Sequence, residues 1–142
     1  MNIAIIADNT KKELMTQFCI AYCGILGRHN LFATHITGKL ISDATGLELE
    51  TFLTGGSGGI DQIASRVAYN EIDAVIYFRT TEVGTIPTDA TENLLRLCDL
   101  YNIPVATNIA TAEVIITAIG NGDLSWRDFV NPTSEYNRKK RL

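Results

Sequence analysis

Two five-residue runs, IAIIA at 3–7 and AVIYF at 74–78, are continuously apolar. A strand with one face in water alternates apolar and polar side chains, whereas a strand covered on both faces does not. The runs therefore predict central strands of a sheet lying between two other layers. Around them the pattern alternates. Strands are expected at Ile3–Ala7, Leu31–Thr34, Leu47–Leu53, Ala74–Phe78 and Val105–Asn108, and helices at 11–27, 38–45, 60–71, 90–101 and 110–119. Such alternation points to βαβ units and a parallel sheet. The predicted fold class is α/β, a three-layer α/β/α arrangement around a five-stranded, mostly parallel sheet.

The 142 residues suit one domain, and a chain of this size buries roughly 70% of its unfolded surface without staples. We expect that domain over 1–130. A polar, basic tail is expected over 131–142; its run Arg138-Lys139-Lys140-Arg141 reads as solvated or as a partner contact. A formal net charge of -4 argues against a nucleic-acid partner. The N-terminal NIAIIA is too short to span a membrane and has no basic leader, so no membrane partner and a cytoplasmic location are expected. Cys19, Cys23 and Cys98 form no CxxC motif. Cys19 and Cys23 share a predicted apolar helix face with Leu14, Met15, Phe18 and Tyr22, so core thiols are expected, with no metal site.

Parallel sheets place ligands beyond the carboxyl ends of their strands. That rule selects Asp8-Asn9-Thr10, Thr34–Gly38, Thr54–Gly59, Arg79–Thr81 and Asn108. Helix starts in such loops offer unpaired N–H groups and a positive dipole end, which suit an anion. Asn9 or Thr10 can cap the first helix. Lys12 lies in its first turn, where the dipole disfavours a cation; it reads as a phosphate contact or as a solvated lysine. Thr34 and Thr37 bracket a turn and Gly38 opens the next helix, an oxyanion cradle or simply a cap. His35 alone does not define acid–base chemistry, and His29 reads as a solvated turn residue.

LTGGSGGIDQ at 53–62 holds four glycines, which permit positive φ and close backbone approach, yet it fits neither Walker nor Rossmann spacing. Ile60, Ile63, Ala64, Val67 and Ala68 recur at helical spacing, so Ile60 belongs to a buried stripe. Asp61 is rotated about 100° from it, and the helix dipole accounts for an aspartate there.

Over Ile3 to about Phe129 the chain resembles the methylglyoxal synthase family. The resemblance is carried by IAIIADNTKKEL, LFATHITGKLISDATGLELETFLTGG, GGIDQI, DAVIYF and, most closely, LLRLCDLYNIPVATNIATAEVII. It implies conversion of dihydroxyacetone phosphate to methylglyoxal and phosphate, no cofactor, and a homohexamer. In that family an aspartate removes a proton beside the carbonyl, a histidine shuttles protons, and hydroxyls, amides and a lysine clamp the phosphate. The clamp carries over to Lys12, Thr34, Thr37, Gly38, Thr54 and Gly55. His35, Gly58 and Gly59 complete the predicted ligand-binding set. The chemistry positions differ. The family's A-H-D is Ala7-Asp8-Asn9 here, its G-G-D-Q-Q is Gly58-Gly59-Ile60-Asp61-Gln62, its D-P is Thr80-Thr81, and its histidine-bearing segment is IPTDAT.

Because the clamp matches while the chemistry positions differ, the function expected here is non-catalytic binding, by sequestration or through a separate partner, of a phosphorylated small molecule or nucleotide-derived signal. A nucleotide is included because related domains in carbamoyl phosphate synthetases and a purine-biosynthetic enzyme handle nucleotides. The alternative is an active methylglyoxal synthase in which Asp8, Asp61 and Asp89 share the proton work. A structural protein with a vestigial pocket is the third reading.

Overall fold

In the computed structural model, which describes residues 1–132 and 135–140, the two apolar runs lie side by side. Ile3 pairs with Ala74 and Ala7 with Phe78 in parallel register. Five strands, β1 (Asn2–Ala7), β2 (Asn30–Thr34), β3 (Leu49–Phe52), β4 (Ala74–Phe78) and β5 (Val105–Ala106), form one sheet in the order β3-β2-β1-β4-β5. Every pairing is parallel. The helices are α1 (Lys12–Ala21), α2 (Cys23–Leu26), α3 (His35–Thr45), α4 (Gly59–Ala68), α5 (Asp89–Leu100), α6 (Ile109–Gly120), α7 (Arg127–Val130) and α8 (Glu135–Lys140).

Alternate strand residues serve opposite faces. Ile3, Ile5, Ala7, Ile76 and Phe78 pack with Met15, Phe18 and Cys19 of α1, Ile41 of α3 and Ile116 of α6. Ala4, Ile6, Val75 and Tyr77 pack with Ile60, Ile63 and Val67 of α4 and Leu94 and Cys98 of α5. Both faces of β1 and β4 are thus core, which is why neither run alternates with polar residues.

Several local expectations change. The helix expected over 11–27 breaks at Tyr22, whose φ of -112° and ψ of 20° interrupt it. Past that break Cys23 is exposed while Cys19 stays buried, so only one of the pair is a core thiol. Burial pushes the Cys19 and Cys98 thiols up to about 12, which leaves both as inert core groups. Asn9–Lys11 forms a 3-10 turn ahead of α1, and neither Asn9 nor Thr10 caps it by side chain. Helix α3 begins at His35, so Gly38 sits inside it. A Cβ on Gly38 would lie 2.5 Å from Thr51 Cγ2, so the glycine lets α3 approach β3 closely. Strand β3 is shorter than expected because Gly46, at φ 76°, ends α3 and Leu47 N–H bonds back to Thr45 Oγ1.

At the opposite end of the sheet lies a buried polar lock. Asp73, Arg127 and Asn131 are each 1% exposed. Arg127 Nε donates to Asp73 Oδ1 at 3.3 Å, and Asn131 Nδ2 donates to both Asp73 oxygens at 2.9 Å. The backbone N–H of Asn2 adds a bond to Asp73 Oδ2 at 2.7 Å. Among the described residues of the expected tail, Asn131 is buried and Asn137 Nδ2 donates to the Asp128 and Asn131 carbonyls; Arg141 of the basic run lies outside the described residues. His29 is half-buried with Nδ1 3.0 Å from the terminal amine of Met1, and is not a solvated turn residue. Among the described residues no helix is long and apolar enough to cross a membrane.

Candidate active site

Strands run outward in both directions from the β1–β4 pair, so the sheet's switch point lies beyond Ala7 and Phe78. That is where a doubly wound sheet opens a crevice for a ligand. A cavity of about 820 Å³ lies there, walled by Asp8–Thr10 after β1, Thr54–Gly56 after β3, Arg79–Glu82 after β4 and Thr85–Thr88 before α5.

One side of the cavity is organised around the Asp8 carboxylate. Tyr77 Oη donates to Asp8 Oδ1 at 2.9 Å, and the backbone N–H of Thr80 donates to Oδ2 at 2.7 Å. A carboxylate has about four acceptor sites, so these two bonds orient it and leave capacity for a substrate proton. Tyr77 also meets Thr91 Oγ1 at 3.0 Å. Burial, chiefly, pushes the Tyr77 phenol up to about 12, so it remains a donor to Asp8 at neutral pH.

Its cationic side is Lys12. Nζ donates to the Ala7 carbonyl at 2.8 Å and to Thr37 Oγ1 at 3.2 Å. Burial holds this ammonium below the ordinary lysine value, partly offset by the charge of Asp8. Thr34, Thr54 and Gly55 share the cavity wall with Lys12. Thr37 is buried and acts through Lys12; it does not line the cavity and does not cap α3.

The other predicted residues divide. Gly38, Gly58 and Gly59 do not line the cavity. Gly59 has a steric role: a Cβ there would lie 1.9 Å from the Leu53 carbonyl oxygen. Gly58, at φ 104°, supplies the turn into α4. His35 is exposed and outside the cavity wall, as are Asp61 and Asp89 in the first turns of α4 and α5. Ile60 is both a member of the apolar stripe and part of the wall. Asn108 caps α6, accepting from Thr111 N–H at 3.0 Å.

Sequence reasoning missed Tyr77, Glu82, Thr88 and Thr91. Tyr77 sits in a run read as purely apolar, and the only available signal was its hydroxyl near a strand's carboxyl end. Thr88 and Thr91 lie where the family pattern has a histidine-bearing segment, and were seen only as replacements.

Fold and cavity define a doubly wound α/β domain with a small-molecule site of hydroxyls, carboxylates and cations at its switch point. Residues 16–107 match the model of the MGS-like domain family. The chain is 55% identical over 138 residues to a methylglyoxal synthase of Caldicellulosiruptor saccharolyticus, covering 97% of this chain and 98% of that protein. It is 44% identical over 135 residues to one from Oceanobacillus iheyensis, covering 95% and 96%. The crystal structure of methylglyoxal synthase from Elizabethkingia anophelis NUHP1 superposes with a TM-score of 0.73 at 35% identity, over 81% of this chain and 76% of that one. The chain belongs to the methylglyoxal synthase family.

These relatives overturn the expectation of a non-catalytic binder and its sequestration role. Proteins named methylglyoxal synthase match nearly the whole chain at high identity, and they support the enzyme alternative. The expectation rests on Ile60 and the absent histidine, both local features, whereas Tyr77 and Thr80 assemble around Asp8 through contacts that span 69 and 72 residues of sequence.

Proposed function

We propose that this protein is a carbon–oxygen lyase of the methylglyoxal synthase type, converting dihydroxyacetone phosphate to methylglyoxal and phosphate. The carrying observation is the shared cavity of Asp8 and Lys12, a held carboxylate and a half-buried ammonium, in a chain of this family. Lys12, the Thr34 and Thr54 hydroxyls and the loop amides at Gly55 receive the phosphate. Asp8 removes a proton from the hydroxymethyl carbon next to the carbonyl, and the electron pair becomes an enediolate. The hydroxyl proton then passes to the departing phosphate, a C=C bond forms toward the methylene carbon, and the C–O bond to phosphate breaks with its pair on phosphate. Proton return to that methylene gives the methyl group of the product.

Preorganised donors matter most where charge develops. Lys12 meets that requirement for the departing phosphate, and the Thr80 amide and Tyr77 hydroxyl keep Asp8 in one orientation. Asp61 and Asp89 take no part in this scheme, since both lie outside the cavity wall. We also place the protein in a reducing, cytoplasmic compartment, a reading supported by three free cysteines. Assembly of identical copies, a hexamer by family resemblance, is supported by exposed Ile36, Leu40 and Leu53 around the start of α3. The decisive test incubates the purified protein with dihydroxyacetone phosphate and follows phosphate and methylglyoxal together. Release of neither product overturns the lyase reading.

A further inference from the structure

The cavity wall contains a continuous row of hydroxyls, of which the scheme above uses only that of Tyr77, to orient Asp8. Thr88 Oγ1 donates to Thr91 Oγ1 at 3.0 Å, Thr91 Oγ1 meets Tyr77 Oη at 3.0 Å, and Tyr77 Oη donates to Asp8 Oδ1 at 2.9 Å. Each hydroxyl has one proton to give. Tyr77 gives its proton to Asp8, so toward Thr91 it must accept; Thr91 therefore donates to Tyr77, and Thr88 donates to Thr91. The row is head-to-tail, and its terminal acceptor is the carboxylate.

Its ends differ in environment. Thr88 is exposed, whereas Thr91 and Tyr77 are only 4% and 2% exposed. The row thus runs from solvent through the protein wall to the carboxylate assigned as base. Helix capping accounts for one of these contacts, since Thr88 Oγ1 also accepts from Thr91 N–H at 3.2 Å. Capping does not require the Thr91 hydroxyl or its bond to Tyr77.

We propose that Thr88, Thr91 and Tyr77 form a hydroxyl proton relay that exchanges the proton taken up by Asp8 with solvent, an inference that rests on the lyase reading. When Asp8 accepts the substrate's carbon-bound proton, the electron pair stays on the substrate as the enediolate. Once Asp8 carries that proton, the three hydroxyls turn about their C–O bonds to point outward, and Asp8 passes a proton to Tyr77 Oη as Tyr77 gives its own to Thr91, Thr91 to Thr88, and Thr88 to water. The hop leaves the three O–H bonds pointing inward, as in the structure, each hydroxyl stays neutral, and Asp8 is again a carboxylate. The reverse sequence carries a solvent proton inward. The high pKa of the Tyr77 phenol fits a group that passes protons by exchange and does not store charge. Tyr77, Thr91 and Thr88 are positioning and conducting groups; Asp8 alone meets the substrate's proton.

The test runs the wild type, Thr91→Val, Thr91→Ser and Tyr77→Phe in heavy water with dihydroxyacetone phosphate. Nuclear magnetic resonance follows deuterium entering the hydroxymethyl carbon of unreacted substrate, and phosphate release is measured alongside. Thr91→Val should slow both processes roughly tenfold or more, up to the 10²–10⁴-fold that a proton-transfer group contributes, and leave KM unchanged. Thr91→Ser should restore them, and Tyr77→Phe, which also removes the bond that orients Asp8, should lose at least as much as Thr91→Val while keeping the ring's packing. Wild-type deuterium entry in Thr91→Val, or equal losses in the valine and serine variants, overturns the relay and leaves the lyase reading standing. Deuterium entry in the wild type without phosphate release, lost in Thr91→Val, overturns the lyase reading and supports the relay. A wild type that shows neither process overturns both.

Discussion

Tyr77 donates its hydroxyl to Asp8 at 2.9 Å, so the penultimate residue of β4 holds the first residue beyond β1. The parallel register that pairs Ala7 with Phe78 brings these two side chains together at the switch point. With Thr80 N–H on its second oxygen, the Asp8 carboxylate is held from two directions. Asp8→Asn should therefore lower kcat by about 10²–10⁴-fold, while circular dichroism and the urea midpoint stay close to wild type. Wild-type turnover in that variant would remove Asp8 from the role of base.

Asp61→Asn and Asp89→Asn probe the two acids outside the cavity. Both positions are exposed first-turn residues. Each variant should stay within about 0.5 kcal/mol of wild-type stability and retain its rate of phosphate release. Loss of turnover in Asp61→Asn would return the proton work to the glycine-loop acid.

Alkaline titration should report Tyr77. Burial lifts its pKa to about 12, above the ordinary tyrosine value of about 10. A raised folded-state pKa means that the neutral phenol is preferred by the folded protein. Its stabilisation is complete below pH ~10 and fades as pH rises through about 12. Tyrosinate absorbance should show one late-ionising group that is absent in Tyr77→Phe. The urea midpoint of that variant should fall less steeply with pH over the same window.

Lys12 should confer a pH dependence of the opposite utility. Its ammonium is destabilised chiefly by burial, so it loses its proton below the ordinary lysine range. Inorganic phosphate binds through the charged form. Once the phosphate is fully in its dianionic form, affinity should fall as pH rises through the lowered Lys12 value. Lys12→Met should weaken phosphate binding by roughly 1.5–3 kcal/mol and flatten that decline. Calorimetric titration across a pH series would measure both.

The glycine loop and the buried lock carry stability predictions. Gly59→Ala places a methyl 1.9 Å from the Leu53 carbonyl, so the loop or strand end must move; a loss of about 1–3 kcal/mol or more is expected. Gly56→Ala meets nothing within 4 Å and should be nearly neutral, within about 0.5 kcal/mol. Arg127→Met strips the buried Asp73 carboxylate of its charged partner and should cost about 3–5 kcal/mol. Urea unfolding compares all three, and retained low-temperature activity in Arg127→Met would place the lock apart from the chemistry.

The parts of the site legible in sequence were those declared by backbone position. The loops after β1, β3 and β4 followed from the strand runs, and Lys12, Thr34, Thr54 and Gly55 lie on the cavity wall. Side-chain partnerships were not legible. Thr37 reads as a ligand contact or cap until the fold shows Lys12 Nζ bonded to it across 25 residues. Gly38 and Gly59 look like ligand glycines, yet each accommodates a neighbouring element at a distance where no Cβ fits.

By itself the sequence determined the layering, because two unbroken apolar runs demand cover on both faces, and it determined Ile60 as a core residue through helical spacing. Only the tertiary structure decided that Asp8, Tyr77, Thr91 and Thr88 form one connected row, and that Asp61 and Asp89 stand outside it. Periodicity is a local property that sets which face a residue occupies. The meeting of two faces depends on strand order and register, and those are chosen by packing the whole chain. LTGGSGGIDQ drew attention as a site because glycines advertise backbone freedom; the hydroxyl row in AVIYF and IPTDAT advertised nothing until β1 and β4 were placed side by side.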